Sequence, residues 1–265
     1  MNEQKPLKQI TYSCYYNQTR EGEQFVPEHV FSYQIAGTLT MSDGDKQYTF
    51  HEDCFRLTRR NSLIKFTKQP PANGEYKNIS VYLDQQTLRS FGMEYGYTSE
   101  KHLQTPPVML LHAHPLLKSY IDSLQPYDAL MHGNNEVLLS LKVKEAIAIV
   151  LQTNPALKDI LFDLTEPGKI DLEAFMNRNF HFNVPLDRFA YLTGRSLSTF
   201  KRDFEKTFNA TPGKWLQHRR LQEAHYRIKE KGEAPSDVYI DVGFEDLSHF
   251  SFAFKKMYGL APSKI

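Results

Sequence analysis

Phe31, Tyr33 and Ile35 alternate with polar residues, and Leu39 and Met41 carry the same rhythm onward. Ser42-Asp43-Gly44-Asp45 reads as a turn, after which Tyr48 and Phe50 resume the alternation. Further short runs follow at Phe55–Thr58, Leu63–Phe66 and Ile79–Leu83, with Pro70-Pro71-Ala72-Asn73-Gly74 as a loop between the last two. A period of two turns alternate side chains to one face. Several such strands at close spacing predict a small antiparallel barrel or sandwich over about residues 10–83.

After Asp84 the period becomes helical, and helices are expected over about residues 84–165. His114–Met131 is one predicted helix, with Gly133 placed to end it. Asn135–Gln152 is another, and its apolar residues lie on many faces. Such a helix is buried on more than one side, inside its own core or against a second subunit. Leu138, Leu139, Leu141, Ala146 and Ile149 are the candidate dimer contacts on it. Glu166-Pro167-Gly168-Lys169 reads as a boundary, which divides the chain into residues 1–166 and 167–265. A fresh helix follows, with Asp171 as N-cap and Ile170 and Phe175 spaced as a hydrophobic staple.

The last third repeats itself. In Leu186–Phe208 a short apolar stripe (Leu186, Phe189, Ala190) meets Gly194, a residue able to adopt positive φ. Ser196 then caps a helix with Phe200, Phe204 and Phe208 on one face and Ser198, Lys201 and Arg202 on the other. Near the C-terminus, Val238 and Val242 precede Gly243, and Leu247, Phe250 and Phe254 follow, with Ser248, Ser251, Lys255 and Lys256 outward. Each copy ends alike, at Ala210-Thr211-Pro212 and at Leu260-Ala261-Pro262. Between them Thr211, Pro212 and Gly232 bracket one linking helix. These are the demands of two helix-turn-helix units, at about residues 186–208 and 236–258.

The block from Leu186 to Ile265 resembles the DNA-binding domain of AraC/XylS-family transcriptional regulators. The first helix-turn-helix, the RRLQEAHYRI helix and GFEDLSHFSFAFKKMYGLAPS carry that resemblance. The front half is similar to the cupin-like regulatory domains of the same family. The resemblance implies an α+β chain: an N-terminal cupin-like β-barrel with helices, then an all-α domain with two helix-turn-helix units on a linker helix. It also implies double-stranded promoter DNA and RNA polymerase as partners, a homodimer, an activating role, and control by a small-molecule effector or regulatory protein.

Base edges are assigned by side-chain chemistry. Arg202 has the forked donors that meet guanine O6 and N7, and Ser198, Lys201, Leu247, Ser248 and Ser251 complete the base-reading set. Ser196, Thr199, His249, Lys255 and Lys256 are the expected contacts to the DNA backbone. The chain departs from the family pattern in the second unit. Tyr239 stands where a small residue is usual, Pro235 comes early, and Phe252 replaces the outward arginine that the first copy keeps as Arg202. Phe252 can touch a thymine methyl but has nothing to donate to guanine. Trp215 is expected in the core where the two halves meet.

Charge agrees with this division. From Lys169 onward there are 16 Lys and Arg against 12 Asp and Glu, whereas the rest has 16 against 19. The back end is the one suited to a polyanion. Met1–Lys8 holds no apolar leader core, and apolar runs such as Val108–Leu111 and Ala146–Leu151 are too short to span a bilayer. Cys14 and Cys54 have neither metal spacing nor a disulfide framework around them. A cytoplasmic protein without membrane contact is expected. His112-Ala113-His114 lacks the glycine-rich surroundings and following glutamate of metal cupins, so these histidines are expected to cap or to face solvent. No metal, cofactor or catalytic residue is expected. A cupin-like enzyme with an appended DNA-binding module is the alternative, as is a front domain that only dimerises or binds an antagonist protein.

Overall fold

The computed structural model describes residues 9–19, 24–127 and 136–265. Two compact units divide between Thr165 and Glu166.

Among the described residues, ten short strands precede Thr165: Ile10–Tyr15 (β1), Phe25–Val26 (β2), His29–Ala36 (β3), Thr38–Ser42 (β4), Gln47–Phe50 (β5), Cys54–Thr58 (β6), Ser62–Leu63 (β7), Lys65–Gln69 (β8), Tyr76–Leu83 (β9) and Val108–Leu111 (β10). The predicted turn after β4 forms, with Asp43 Oδ1 accepting from the backbone N–H of Asp45 and Lys46 at 3.0 and 2.7 Å. The expected barrel does not close. The strands form three sheets, in the orders β1-β9-β3-β6-β10, β5-β4-β8 and β2-β7. In the largest sheet β1 and β10 each pair on one side only. Helices cover its apolar face instead of further strands.

Those helices are Gln85–Tyr95 (α1), Pro115–Ser123 (α2), Glu136–Thr153 (α3) and Lys158–Leu161 (α4). Phe31, Leu57 and Val81 from the sheet share one core with Leu88 of α1, Leu117 and Tyr120 of α2, and Val143, Ile147 and Val150 of α3. Asp84 starts α1 by accepting from Thr87 N at 2.8 Å. His114 starts α2 in the same way, its Nδ1 accepting from Leu116 N at 3.2 Å, while His112 is exposed. α2 ends at Ser123, short of the Met131 expected, and Gly133 lies outside the described residues. Among the described residues no helix is long and apolar enough to cross a membrane.

The candidate dimer contacts on α3 split between its faces. Ala146 lies in the row Val143, Ala146, Ile147, Val150 and is fully buried in the chain's own core, so it is no interface residue. The 3.6-residue period puts it there. Leu139 and Ile149 are half-buried against the same core. Leu138 and Leu141 remain outward, 41% and 57% exposed, beside Val137 at 75%.

His29 adds a pH dependence to this unit. It is buried on β3, and burial pushes its pKa down to about 3, with the Arg60 and Arg59 guanidiniums acting in the same direction. The folded state therefore keeps His29 neutral while the unfolded chain takes up a proton below about pH 6.5. Stability is full above that pH and falls as the pH drops from about 6.5 towards 3. Between pH 7.5 and 5 the loss from this residue is about 2 kcal/mol. Denaturant midpoints measured across this range should show a shallower slope for His29→Gln. Equal slopes in both proteins contradict the assignment.

The second unit is all helix: Leu172–Asn179 (α5), Leu186–Leu192 (α6), Leu197–Phe208 (α7), Pro212–Lys231 (α8), Pro235–Asp241 (α9) and Leu247–Tyr258 (α10). α6 and α7 form one helix pair with a tight turn, and α9 and α10 another, with α8 between. Asp171 caps α5 as expected, accepting from Ala174 N at 3.0 Å. Pro212 is the first residue of α8, but Thr211 makes no side-chain cap bond. α9 begins at Pro235, one residue before the Ser236 expected. Phe189, Phe200 and Phe204 are fully buried in the first pair. Val238, Phe250 and Phe254 pack with Leu221, Ala224 and Ile228 of α8 in the second.

Candidate nucleic-acid interface

Gly194 makes the first turn at φ +64°, and a Cβ there would lie 2.4 Å from the carbonyl carbon of Gly168. Both the dihedral and the close approach call for glycine. Arg195 folds back over the turn. Its Nε donates to Asp203 Oδ2 at 3.1 Å, and its NH1 donates to the carbonyls of Thr193 and Ile170 at 2.7 and 3.0 Å. These bonds hold the turn to α7 and leave the Arg195 side chain 7% exposed.

Ser196 Oγ caps α7 by accepting from Thr199 N at 3.3 Å. That oxygen is committed to the cap, and Thr199 is half-buried beside it. With Phe200 and Phe204 turned inward, Ser198, Lys201 and Arg202 are exposed together on the opposite face. Arg202 NH2 lies 3.5 Å from Asp203 Oδ1, and its side chain is 78% exposed. An exposed pair of this kind is worth little and leaves the guanidinium free to exchange its partner.

α10 repeats the arrangement. Asp246 caps it, accepting from His249 N at 2.7 Å, a residue that sequence reading did not pick out. Leu247, Ser248, His249, Lys255 and Lys256 are exposed, and Ser251 is half-buried. Phe252 is 71% exposed, in place of the missing arginine. Gly243 makes the turn at φ +99°.

Trp215 is half-buried, and its ring lies 4.6 Å from Phe208 and 5.6 Å from Phe204, both of the first pair. Arg220 connects the two pairs. Its Nε donates to Phe180 O at 2.8 Å, NH2 to Phe182 O at 2.7 Å and NH1 to Gly243 O at 2.8 Å. Burial pushes its pKa down to about 10, so it stays charged at neutral pH. Asn183 Nδ2 adds a bond to Glu245 Oε1 at 2.6 Å. Sequence reading passed over Arg220, yet a signal was present. Leu216, Ala224 and Ile228 are the buried row of α8, and Arg220 occupies the same row at the i+4 spacing. At the far end, Arg227 pairs with Glu233 and with Asp241 Oδ2 at 2.9 Å, which ties α8 to α9.

Two capped helices with basic, hydroxyl-bearing outer faces, each behind a tight glycine turn, define a DNA-binding protein of the helix-turn-helix class. The chain belongs to the AraC/XylS family of transcriptional regulators. Residues 189–265 match the family model described as a helix-turn-helix domain, and residues 29–160 match that of the ExsA N-terminal regulatory domain. The HTH-type transcriptional regulator ExsA of Pseudomonas aeruginosa is 24% identical over 259 residues, covering 97% of this chain and 92% of that protein. The virulence regulon transcriptional activator VirF of Yersinia enterocolitica is 22% identical over 242 residues, 87% and 86% of the two chains. Among solved structures, an apo ToxT variant from Vibrio cholerae strain SCE256 aligns over 97% of this chain and 96% of its own, with 12% identity and a TM-score of 0.45.

Proposed function

We propose that this regulator is an activator that reads promoter DNA with both helix pairs, works as a homodimer, recruits RNA polymerase, and is controlled through its first unit. The observation that carries the reading is the duplicated architecture: two glycine turns, two capped helices, and matching outer faces on one linker helix. α8 has 20 residues. At 1.5 Å per residue it is about 30 Å long, close to one turn of DNA. That length suits two helices entering successive major grooves on one DNA face.

In this reading Ser198, Lys201 and Arg202 meet base edges from α7, and Leu247, Ser248 and Ser251 do so from α10. Lys255, Lys256 and His249 hold phosphates, and Ser196 and Thr199 order the start of α7 so that its remaining N–H groups face the backbone. No metal or cofactor is needed, and the protein acts in the cytoplasm where its DNA lies. Binding should weaken steeply between about 50 and 200 mM salt, because neutralised phosphates release counterions. Competition binding on a promoter fragment at several salt concentrations tests this. A flat response removes the nucleic-acid reading.

The outward stripe of Val137, Leu138 and Leu141 on α3 is the surface for the second copy. Leu141→Glu places a charge where a self-complementary interface would bury it unpaired, at a cost of several kcal/mol. Light scattering should then report a monomer. An intact dimer moves the interface elsewhere.

Control by a regulatory protein is favoured over a small molecule. The first unit has a cavity of about 220 Å³ beside Tyr12, Tyr33, Ile79 and Lys118. Ligand sites for drug-sized molecules span about 300–1,000 Å³. A small effector at that cavity, with Lys118 at its rim, is the second reading. A cupin-like enzyme is the less favoured reading, because the described strands close no barrel.

A further inference from the structure

We infer that Arg220 sets the spacing of the two helix pairs, and so decides which separation of the two DNA elements the protein accepts. The inference rests on the reading that both pairs contact DNA.

Each pair has its own attachment to α8. The first uses Phe204, Phe208 and Trp215, and the second uses Leu221, Ala224 and Ile228 against Phe250 and Phe254. Those cores hold each pair to the linker. Arg220 supplies a bond from one pair to the other. Two of its acceptors, Phe180 and Phe182, lie on the segment that leads from α5 into the first pair, and the third, Gly243, is the turn of the second.

The turn comes in to backbone distance. A Cβ on Gly243 would stand 2.7 Å from His181 O and 2.9 Å from the Arg220 guanidinium. The three carbonyls come from two segments, and a planar fork with five donors can serve all of them at once. A lysine in its place keeps the charge and loses the span. Asn183 to Glu245 is a second tie between the same two segments, but an exposed one.

DNA makes such rigidity readable. One added base pair moves an element by about 3.4 Å and turns it by about a tenth of a helical turn. A clamped pair of readers cannot follow that displacement, whereas a loosened pair can.

The test uses the full chain and a duplex carrying both elements, mapped first by footprinting. Companion duplexes have one base pair inserted or deleted between the elements, or the second element scrambled. For the native protein, a one-base-pair change in spacing should cost about tenfold or more in competition binding, on the scale of a mismatch. Arg220→Lys should reduce that penalty to about threefold or less while its affinity for the single-element duplex stays within about twofold of native.

A direct distance is the second readout. Spin labels at Glu205→Cys and Phe252→Cys, in a Cys14→Ser, Cys54→Ser background, should give a broader distance distribution once Arg220 is lysine. Asn183→Ala keeps Arg220 and should give an intermediate spacing penalty, which covers the case of a poorly folded lysine variant. If Arg220→Lys retains the native spacing penalty and a narrow distance distribution, the assignment to Arg220 is overturned and two-element binding stands. If scrambling the second element leaves native binding unchanged, the two-reader interpretation fails and the inference falls with it.

Discussion

Phe250→Ala is expected to destabilise the second helix pair by about 3–5 kcal/mol, the range for a buried phenylalanine whose cavity cannot collapse. Phe250 is fully buried, and its ring lies 5.2 Å from Phe244 and 5.6 Å from Phe254. Tyr239 is a third neighbour, at 6.4 Å. The ring is what keeps the outer face of α10 outward, so its loss should remove the proposed second reader as well as stability. Denaturant unfolding should show an early transition for the second pair. Footprints should lose the second element and keep the first, because Phe200 and Phe204 form a separate core. Phe250→Leu keeps most of the volume and should cost appreciably less. If the alanine variant binds both elements with native affinity, α10 does not depend on this core for its orientation.

Arg202→Ala is expected to lower affinity for the cognate duplex by about 1–3 kcal/mol, roughly tenfold to a hundredfold, and to relax choice at one base pair. The guanidinium is exposed and only loosely paired with Asp203, so reaching guanine requires little rearrangement. Phe252→Ala should cost less, and chiefly at a thymine. Lys255→Ala should weaken cognate and random DNA alike, since a phosphate contact carries no base information. Competition of the three variants against a library of operator variants separates these outcomes. Should Phe252→Ala prove the more damaging change while Arg202→Ala leaves base preference intact, α10 is the principal reader.

Local signals reported reliably on local structure. Asp171 and Ser196 cap α5 and α7, Pro212 opens α8, and Gly232 ends it. Each of these follows from a side chain bonding, or failing to bond, a backbone group within a few residues. The split of α7 into a phenylalanine face and a Ser/Lys/Arg face is equally local, because a period of 3.6 leaves no other arrangement. Positive φ at Gly194 and Gly243 belongs to the same class.

What was not legible depended on partners distant in sequence. Alternation in residues 10–83 specifies an inward face for every strand but not which strand lies beside which. Closure into a barrel or coverage by helices is decided by edge pairing, and here β1 and β10 stay at the edges while α1, α2 and α3 cover the sheet. α3 is apolar on several sides, so only its packing against Phe31, Leu57 and Val81 shows that Ala146 faces inward and Leu141 outward. Trp215 and Arg220 sit five residues apart on α8 and have opposite roles from those their chemistry suggests. The tryptophan ring packs on Phe204 and Phe208 of one helix pair, and the half-buried arginine bonds carbonyls on both sides of α8. Composition and spacing by themselves determined the helix caps and turns and the outward faces of α7 and α10, since each is a property of neighbours along the chain. Sheet closure, the outward face of α3 and the tie between the helix pairs were decided only in the tertiary structure, where carbonyls from Phe180, Phe182 and Gly243 converge on one side chain.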